Sequence, residues 1–265
     1  MDLNKETFEA LIKKFDLSTN TVDFIGHAVA LYTDDSFIKK PAIETVDKIK
    51  LYMDSHGRYG NSPFIYPIYG LGGIPEGFSR MCAINGGTFM LNKDIDEVLF
   101  DSEGKISGVK SGDEVAKCKM LICHPSYMLK TNNQNKVKNI GKAIRCICIL
   151  DHPIPECSKY PSLQLIIPQR QVNRNSGILF QIISYTIDIY VLMMSEIHQV
   201  CRKGYYVAII SATVETNNPE AELKPAFDLL GTIKEKFITV NFISSYFCFN
   251  ILDFWYLWTK FKLLW

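Results

Sequence analysis

Cysteine and histidine are the residue types in this chain whose spacing could bind a metal. Cys118 lies close in sequence to the pair Cys123–His124, and Cys146 and Cys148 lie close to His152. Zinc sites usually combine two such pairs, and neither group forms a C-x-x-C pair with a matching second pair. Cys146 and Cys148 also alternate with isoleucines, as in a buried strand. We therefore predict small core side chains here and expect no metal.

A glycine-rich turn at residues 70–73 could suggest a nucleotide. Glycines that hold a dinucleotide follow a strand, open a helix and precede an acidic residue by about 20 positions. Pro75 and Gly77 follow this turn directly, so a short helix from Glu76 to Ile84 explains it without a cofactor. No lysine-containing phosphate loop stands out in the sequence, and neither does a serine–histidine–aspartate order or a pair of carboxylates.

Two arginines lie in a setting that favours recognition. Residues 58–93, here called the recognition segment, are rich in Gly, Pro, Tyr and Phe but carry few charges. Arg80 has Phe78 and Met81 as sequence neighbours, and this combination is typical of the centre of a protein interface. The alternative is a surface arginine that lies over apolar neighbours. Arg58–Tyr59 could form a mobile recognition loop or simply end a helix.

The bulk composition excludes some classes of function. The chain has 265 residues, of which 47% are hydrophobic and 22% charged, and its net charge is +1. This is a globular composition without the basic field that binding nucleic acid requires. The first fifteen residues are charged and amphipathic rather than an apolar leader. A cytoplasmic protein with eight free cysteines is therefore expected.

Hydrophobic periodicity predicts helices first and strands later. Apolar residues at helical spacing predict helices over 8–15, 22–32, 41–53 and 221–236. Short apolar runs between turn signals predict strands over 88–91, 97–100, 106–109, 119–123, 144–150, 163–167, 189–194 and 206–214. A helical unit followed by a mixed or antiparallel sheet is an α+β or mixed α/β fold.

Two apolar segments fit this pattern badly. Residues 177–187 extend the strand predicted at 189–194 beyond the usual strand length. The tail from 241 to 265 is rich in aromatic residues and has no clear period. A membrane span is the minor alternative for the tail, because Asp253 near its middle would cost roughly 2.5–3.5 kcal/mol on insertion.

The recognition segment resembles the signature of Rab GDP-dissociation inhibitors and, less closely, that of Rab escort proteins. It reads RYGNSPFIYPIYGLGGIPEGFSRMCAINGGTFMLNK. The similarity continues on both sides, at DFIGHAVALY (23–32), GVKSGDEVAKCKMLICHPSY (108–127), IRCICILDHPI (144–154), IIPQRQVNRNS (166–176) and YYVAIISATVET (205–216). It covers most of the chain.

This resemblance implies a flavoprotein-like fold that binds no flavin and a carrier that is not an enzyme. In such proteins the larger domain grips the switch regions of the GTPase and holds GDP in place, while a helical domain shelters the geranylgeranyl tail. The implied partners are GDP-bound, geranylgeranylated Rab GTPases. Transient membrane association, a cytoplasmic location peripheral to membranes, and a role in vesicle traffic are also implied.

The resemblance assigns site residues position by position. Arg80, Thr88 and Met90 fall on the GTPase-binding platform. Gly73 departs from the family, which carries a glutamate there that also contacts the GTPase. Its loss removes a charge-assisted contact of a kind worth roughly 1.5–3 kcal/mol.

A mobile effector loop is implied at the start of the recognition segment. Arg58, Tyr59 and Ser62 fall on this loop, which is expected to meet the partner or a membrane receptor. The residues of the lipid pocket are not assigned.

The implied domain organisation is partial. Residues 1–57 correspond to part of the helical, prenyl-binding domain, and residues 58–240 to part of the sheet-rich, Rab-binding domain. The family begins with a βαβ unit, which we expect this chain to lack. Residues 177–187 form an atypical insert and 241–265 an unrelated tail, which we interpret as translated intron sequence or an incomplete gene model. Transcript reads that retain codons 177–187 would count against this hypothesis.

Three alternatives stay open. A Rab escort protein would bind the prenyltransferase, whereas a dissociation inhibitor would not. A flavin-dependent oxidoreductase of the same superfold would be coloured when purified, and a missing Gly-rich βαβ unit argues against it. A non-functional fragment would expose sheet edges, aggregate, and extract Rab from membranes weakly or not at all.

Overall fold

The computed structural model describes residues 2–32, 34–58, 60, 62–129, 137–172 and 188–246. Tyr59, the predicted insert and the tail beyond residue 246 lie outside these ranges. The pattern of internal contacts divides the chain into two units, Met1–Met81 with Lys142–Asn241 and Cys82–Gly141 with Phe242–Trp265. The predicted boundary after residue 57 falls inside the first unit.

The first unit begins with short helices around a small aromatic core. These are α1 (Phe8–Lys14), α2 (Thr19–Asp23), a π-helical turn (Phe24–Val29), a 3-10 turn (Asp35–Lys39) and α3 (Ala42–Ser55). The Phe37 side chain is fully buried, and the Tyr32 ring stacks on it with centroids 4.7 Å apart. Among the described residues, none of the helices has the length and apolar character that crossing a bilayer needs.

Two apolar residues of the predicted helices, whose spacing would place them on the buried stripe, are exposed. Phe15 is 60% exposed because α1 ends at Lys14 and the backbone leaves the helix there. Met53 is 63% exposed near the end of α3, whose last turn extends past the small cluster. The predicted stripe over residues 22–32 is divided between α2 and the π-helical turn.

A five-stranded sheet and two helices form the larger core. The strands are β4 (Val137–Leu150), β5 (Leu163–Ile167), β6 (Ile189–Met194), β7 (Tyr206–Thr213) and β8 (Glu235–Tyr246), and the helices are α6 (Pro219–Glu222) and α7 (Lys224–Leu230). The sheet order is β5-β6-β7-β4-β8, with antiparallel ladders joining β5 to β6, β6 to β7 and β7 to β4. Helices with antiparallel sheets confirm the predicted fold class. The predicted start of the tail, at residue 241, falls inside β8.

Cys146 and Cys148 are core side chains of β4, as the alternation predicted. Both are fully buried, and their sulfur atoms are 3.5 Å apart. Burial raises the pKa of both thiols, that of Cys148 to about 12. Both therefore stay protonated near neutral pH, which suits packing rather than metal binding.

The helix predicted over residues 221–236 is wrong at its C-terminal end. The α7 helix stops at Gly231, whose φ of +77° is a conformation that side-chain-bearing residues rarely adopt. The chain then enters β8 at Glu235, directly after Lys234, whose ammonium pairs with the Asp151 carboxylate at 2.9 Å. The helical spacing of apolar residues continues past Gly231, although the backbone there is no longer helical.

The second unit contains a three-stranded antiparallel sheet. Its elements are β1 (Glu97–Phe100), β2 (Ile106–Ser111), β3 (Glu114–Lys117) and α5 (Pro125–Leu129). The strands predicted at 88–91 and 119–123 are wrong, because the backbone there is irregular. The sequence also missed β3, whose side chains are all exposed and therefore lack apolar alternation.

Candidate functional site

The recognition segment begins with an exposed loop after α3. The helix α3 ends at Ser55, Gly57 follows with a φ of +79°, and Arg58 lies on the surface. The exposed Ser62 hydroxyl accepts a 3.1 Å hydrogen bond from the Phe64 backbone N–H, which makes a local turn. The structure thus places two of the three predicted loop residues at the surface, and Tyr59 lies outside the described residues.

The next part of the segment, Tyr66–Gly70, is held against the end of the larger sheet. The Tyr69 backbone N–H donates a 2.8 Å hydrogen bond to the His198 carbonyl. Gly70 has a φ of +100°, and a Cβ there would lie 3.6 Å from the Val200 side chain. Only glycine adopts this backbone conformation without strain, so Gly70 is required by the turn.

The helix α4 (Gly73–Ile84) carries Arg80 and buries none of its side chains. Arg80 is exposed, and within the described chain its guanidinium has no hydrogen-bond or ion-pair partner. Helical geometry places Arg80 about 200° around the axis from Phe78. Sequence proximity suggested a charge inside an apolar patch, whereas the helix separates Arg80 from the exposed Phe78 ring.

Gly73 and Gly77 lie on the same face of α4 as Arg80. They precede it by two turns and one turn, and the exposed Glu76 and Ile84, each four residues from Arg80, lie on this face as well. A Cβ at Gly73 would meet just one atom within 4 Å, the Pro67 Cβ at 3.9 Å. The site can therefore accommodate the glutamate that the family resemblance implies.

Thr88 and Met90 lie beyond α4, on irregular backbone of the second unit. Both are exposed, and Met90 is 62% exposed. The preceding Gly87 lies so close to Cys82 that a Cβ would come within 2.3 Å of the sulfur. Because Arg80 belongs to the first unit, the predicted platform draws on both units, and its assembly into one surface stays a prediction.

The sequence did not reveal a buried ion-pair network in the first unit. It joins the π-helical turn and the 3-10 turn of the helical part to Asp188. His27 is 1% exposed; its Nδ1 lies 2.7 Å from the Asp188 carboxylate and its Nε2 lies 3.2 Å from the Asp35 carboxylate. Burial by itself would lower the pKa of His27, but the hydrogen bonds and charges of both carboxylates raise that pKa to about 9. The imidazole is therefore charged at neutral pH.

The same region offers ligand atoms that could bind a cation. Atoms of Asp23, His27 and Asp35 lie within 4.8 Å of one another. However, both ring nitrogens of His27 already face carboxylates, which favour a proton on each. The contacts therefore describe an ion pair that joins the π-helical turn to the residue before β6. Because Asp188 is 161 residues from His27, no local pattern could have indicated the pair.

The second unit also contains an open cleft of about 450 Å³. It is lined by Asp94, Ile95, Asp96, Ser126 and Tyr127. The Asp96 carboxylate accepts a 2.6 Å hydrogen bond from the Gly112 backbone N–H. Acidic and hydroxyl groups dominate this lining, so the cleft lacks the apolar surface that an isoprenoid would need.

Comparisons with known proteins agree on one family. The family model described as GDP dissociation inhibitor matches residues 1–247. The chain is 47% identical over 241 residues to the probable secretory pathway GDP dissociation inhibitor 1 of Schizosaccharomyces pombe, covering 91% of this chain and 51% of that protein. It is 48% identical to the Rab GDP dissociation inhibitor beta of Canis lupus familiaris, covering 91% of this chain and 50% of the relative.

A solved structure gives the same result for the fold. The crystal structure of the Rab GDI from Plasmodium falciparum matches with a TM-score of 0.85 and 51% identity, covering 94% of this chain and 53% of that one. The chain thus spans about half the length of the relatives it matches. With a family model matched over most of its length, this chain belongs to the GDP dissociation inhibitor family.

Proposed function

We propose that this chain is a regulator of Rab GTPases that binds their GDP-bound, geranylgeranylated form, slows GDP release and carries them between membrane and cytosol. Membership of the GDP dissociation inhibitor family is the observation that carries the proposal. The relatives above are named for Rab and for the secretory pathway, which favours vesicle traffic. Binding alone would produce this effect, so the proposed protein is not an enzyme.

Arg80 supports the part of the proposal that concerns the GTPase. An exposed guanidinium that is not engaged within the described chain can form a bidentate, charge-assisted pair with a partner carboxylate. The flanks of α4 expose Ile74 and Met81, which add apolar area beside such a contact. We propose Arg80, together with Thr88 and Met90, as residues that contact the GTPase, and Arg58, Tyr59 and Ser62 as its loop contacts.

Exposed apolar side chains in the helical part support a lipid-binding role. Each buried CH₂ is worth about 0.8 kcal/mol, so a carrier must offer an apolar surface comparable to the bilayer. Large apolar residues exposed in this part are Phe15, Phe24, Leu31, Leu51 and Met53. They are the first positions at which to look for contacts with a geranylgeranyl chain.

The proposal is tested with purified chain and GDP-loaded, geranylgeranylated Rab. We expect saturable binding that prefers the GDP form over a form loaded with a non-hydrolysable GTP analogue. We also expect release of a fluorescent GDP analogue to slow as the chain is titrated. Liposome flotation then measures extraction, with the dog relative as positive control. Equal affinity for both nucleotide states, or unchanged GDP release at saturation, would contradict the proposal.

Restoring an acid at Gly73 is expected to strengthen Rab binding. A charge-assisted hydrogen bond contributes roughly 1.5–3 kcal/mol, so Gly73→Glu should raise affinity by about 10-fold or more. The substitution should not destabilise the fold, because the site has room and a carboxylate suits the first turn of a helix. Isothermal titration with GDP-bound Rab measures the affinity. The matched control is Gly73→Gln, which adds a similar side chain without charge. A gain of the same size in the control would show that charge is not involved.

A further inference from the structure

His198 is a point at which three separate segments of the first unit meet. Its own segment is a 3-10 turn, Glu196–His198, directly after β6. The Nε2 atom of its ring lies 2.9 Å from the Ser162 hydroxyl, next to the start of β5. Its carbonyl accepts the backbone hydrogen bond from Tyr69. One residue thus joins two strands of the sheet to the recognition segment.

The ring of His198 also contacts the recognition segment directly. The Tyr66 ring meets it edge-on, with centroids 5.0 Å apart and planes at 70°. Burial raises the pKa of the Tyr66 phenol, although a backbone hydrogen bond from Leu71 opposes the shift. Two residues of the Tyr66–Gly70 turn, Tyr66 and Tyr69, therefore contact His198.

His198 is well placed to act as a fixed support. The two residues before its turn, Met194 and Ser195, are each 2% exposed. The Ser195 hydroxyl accepts a 3.4 Å hydrogen bond from the Ile197 backbone N–H, and Gln199 ends the turn in a left-handed conformation. The support is thus built into the end of a buried strand.

The Tyr66–Gly70 turn leads into α4 within a few residues. The Gly73 backbone N–H donates to the Gly70 carbonyl at 3.2 Å, and Ile74 donates to Leu71 at 3.1 Å. The first turn of α4 therefore continues directly from the Tyr66–Gly70 turn, without a flexible linker. Any shift of that turn would rotate or translate the helix that carries Arg80.

We propose that His198 is a positioning residue for partner binding: it holds the Tyr66–Gly70 turn against the sheet and so sets the orientation of α4 and Arg80. The proposal rests on the proposed function, because the orientation of α4 matters for binding only if α4 contacts the GTPase. His198 itself does not contact the partner. Its imidazole acts through Tyr66 and Ser162, while its backbone carbonyl would persist in any variant.

The test compares three full-length variants by hydrogen exchange and by binding. His198→Ala should speed exchange of the amides of residues 69–74 by about fivefold to tenfold, as expected for one lost hydrogen bond and ring contact. Exchange in β7 should stay unchanged. His198→Gln, which keeps a polar nitrogen near the position of Nε2, should restore at least half of the protection. His124→Ala is the matched control, because it removes a histidine–serine hydrogen bond of the same 2.9 Å length in the second unit.

Affinity for GDP-bound Rab should follow the same order, with a loss of several-fold for His198→Ala and partial recovery for His198→Gln. Unchanged exchange at 69–74 would overturn the proposal, and so would a uniform rise across β6 and β7. Faster exchange with unchanged Rab affinity would overturn the positioning role. If the wild-type chain binds no Rab, the proposed function fails instead, and the exchange data decide separately whether His198 holds the turn.

Discussion

Replacing His27 with alanine is expected to lower the free energy of unfolding by about 3–5 kcal/mol, the usual cost of removing one partner from a buried ion pair. The change removes the imidazolium that lies 2.7 Å from the fully buried carboxylate of Asp188. It also creates a cavity beside the Phe37 ring, whose centroid is 6.2 Å from that of His27. Urea denaturation at pH 7 measures the loss.

An exposed histidine provides the control for this prediction. His56 ends α3 at the surface, so His56→Ala should change stability by less than about 0.5 kcal/mol. A similar loss in both variants would mean that the buried network does not carry the effect. A loss below about 1 kcal/mol in His27→Ala would show that the network contributes little.

The pH dependence identifies the ion pair specifically. The pKa of His27 is raised from its ordinary 6.5 to about 9 in the folded state, so its contribution is fully present below pH 6.5. That contribution is lost as pH rises through 9, because the folded protein then releases the proton it had retained. The stability difference between wild type and His27→Gln should therefore shrink by roughly 2–3 kcal/mol between pH 6 and pH 10. Near neutral pH His27 keeps its proton, so its ion pair with Asp188 is present throughout this range.

Replacing Arg80 with alanine is expected to weaken binding of GDP-bound Rab by about 10-fold to 100-fold, the range expected for a charge-assisted hydrogen bond at an interface centre. The fold should be unaffected, because Arg80 is exposed on a helix that buries none of its side chains. Titration calorimetry measures the affinity, and thermal unfolding verifies the fold. Arg80→Lys should fall between wild type and alanine, since a lysine keeps the charge but not the planar, two-point geometry.

Arg202 is the matched control for Arg80. It is an exposed arginine of the same unit, and its guanidinium lies 5.8 Å from the Tyr205 ring centroid. Arg202→Ala removes the same charge from elsewhere in that unit, so its effect reports long-range electrostatics alone. An equal loss in both variants would remove Arg80 from the proposed contact surface.

Local sequence patterns determined most of the regular elements of this protein. The strands at 163–167 and 189–194 have the predicted bounds, because short apolar runs between turns reflect a local requirement for burial. The signature in residues 58–93 likewise led to the correct family, since it resides in contiguous residues. Errors arose where local pattern and backbone disagreed, as at Gly231, where a positive φ stops a helix that the apolar spacing would continue.

Tertiary structure alone decided how distant residues meet. The sequence places Arg80 beside Phe78, but the helical rotation puts them on different faces of α4. His27 and Asp188 pair across 161 residues, and His198 meets both Tyr66 and Ser162. Periodicity records whether a position is buried, but not which remote side chain it contacts. For this protein the sequence therefore determined the elements and the family, whereas the fold determined the ion pair and the support of the recognition segment.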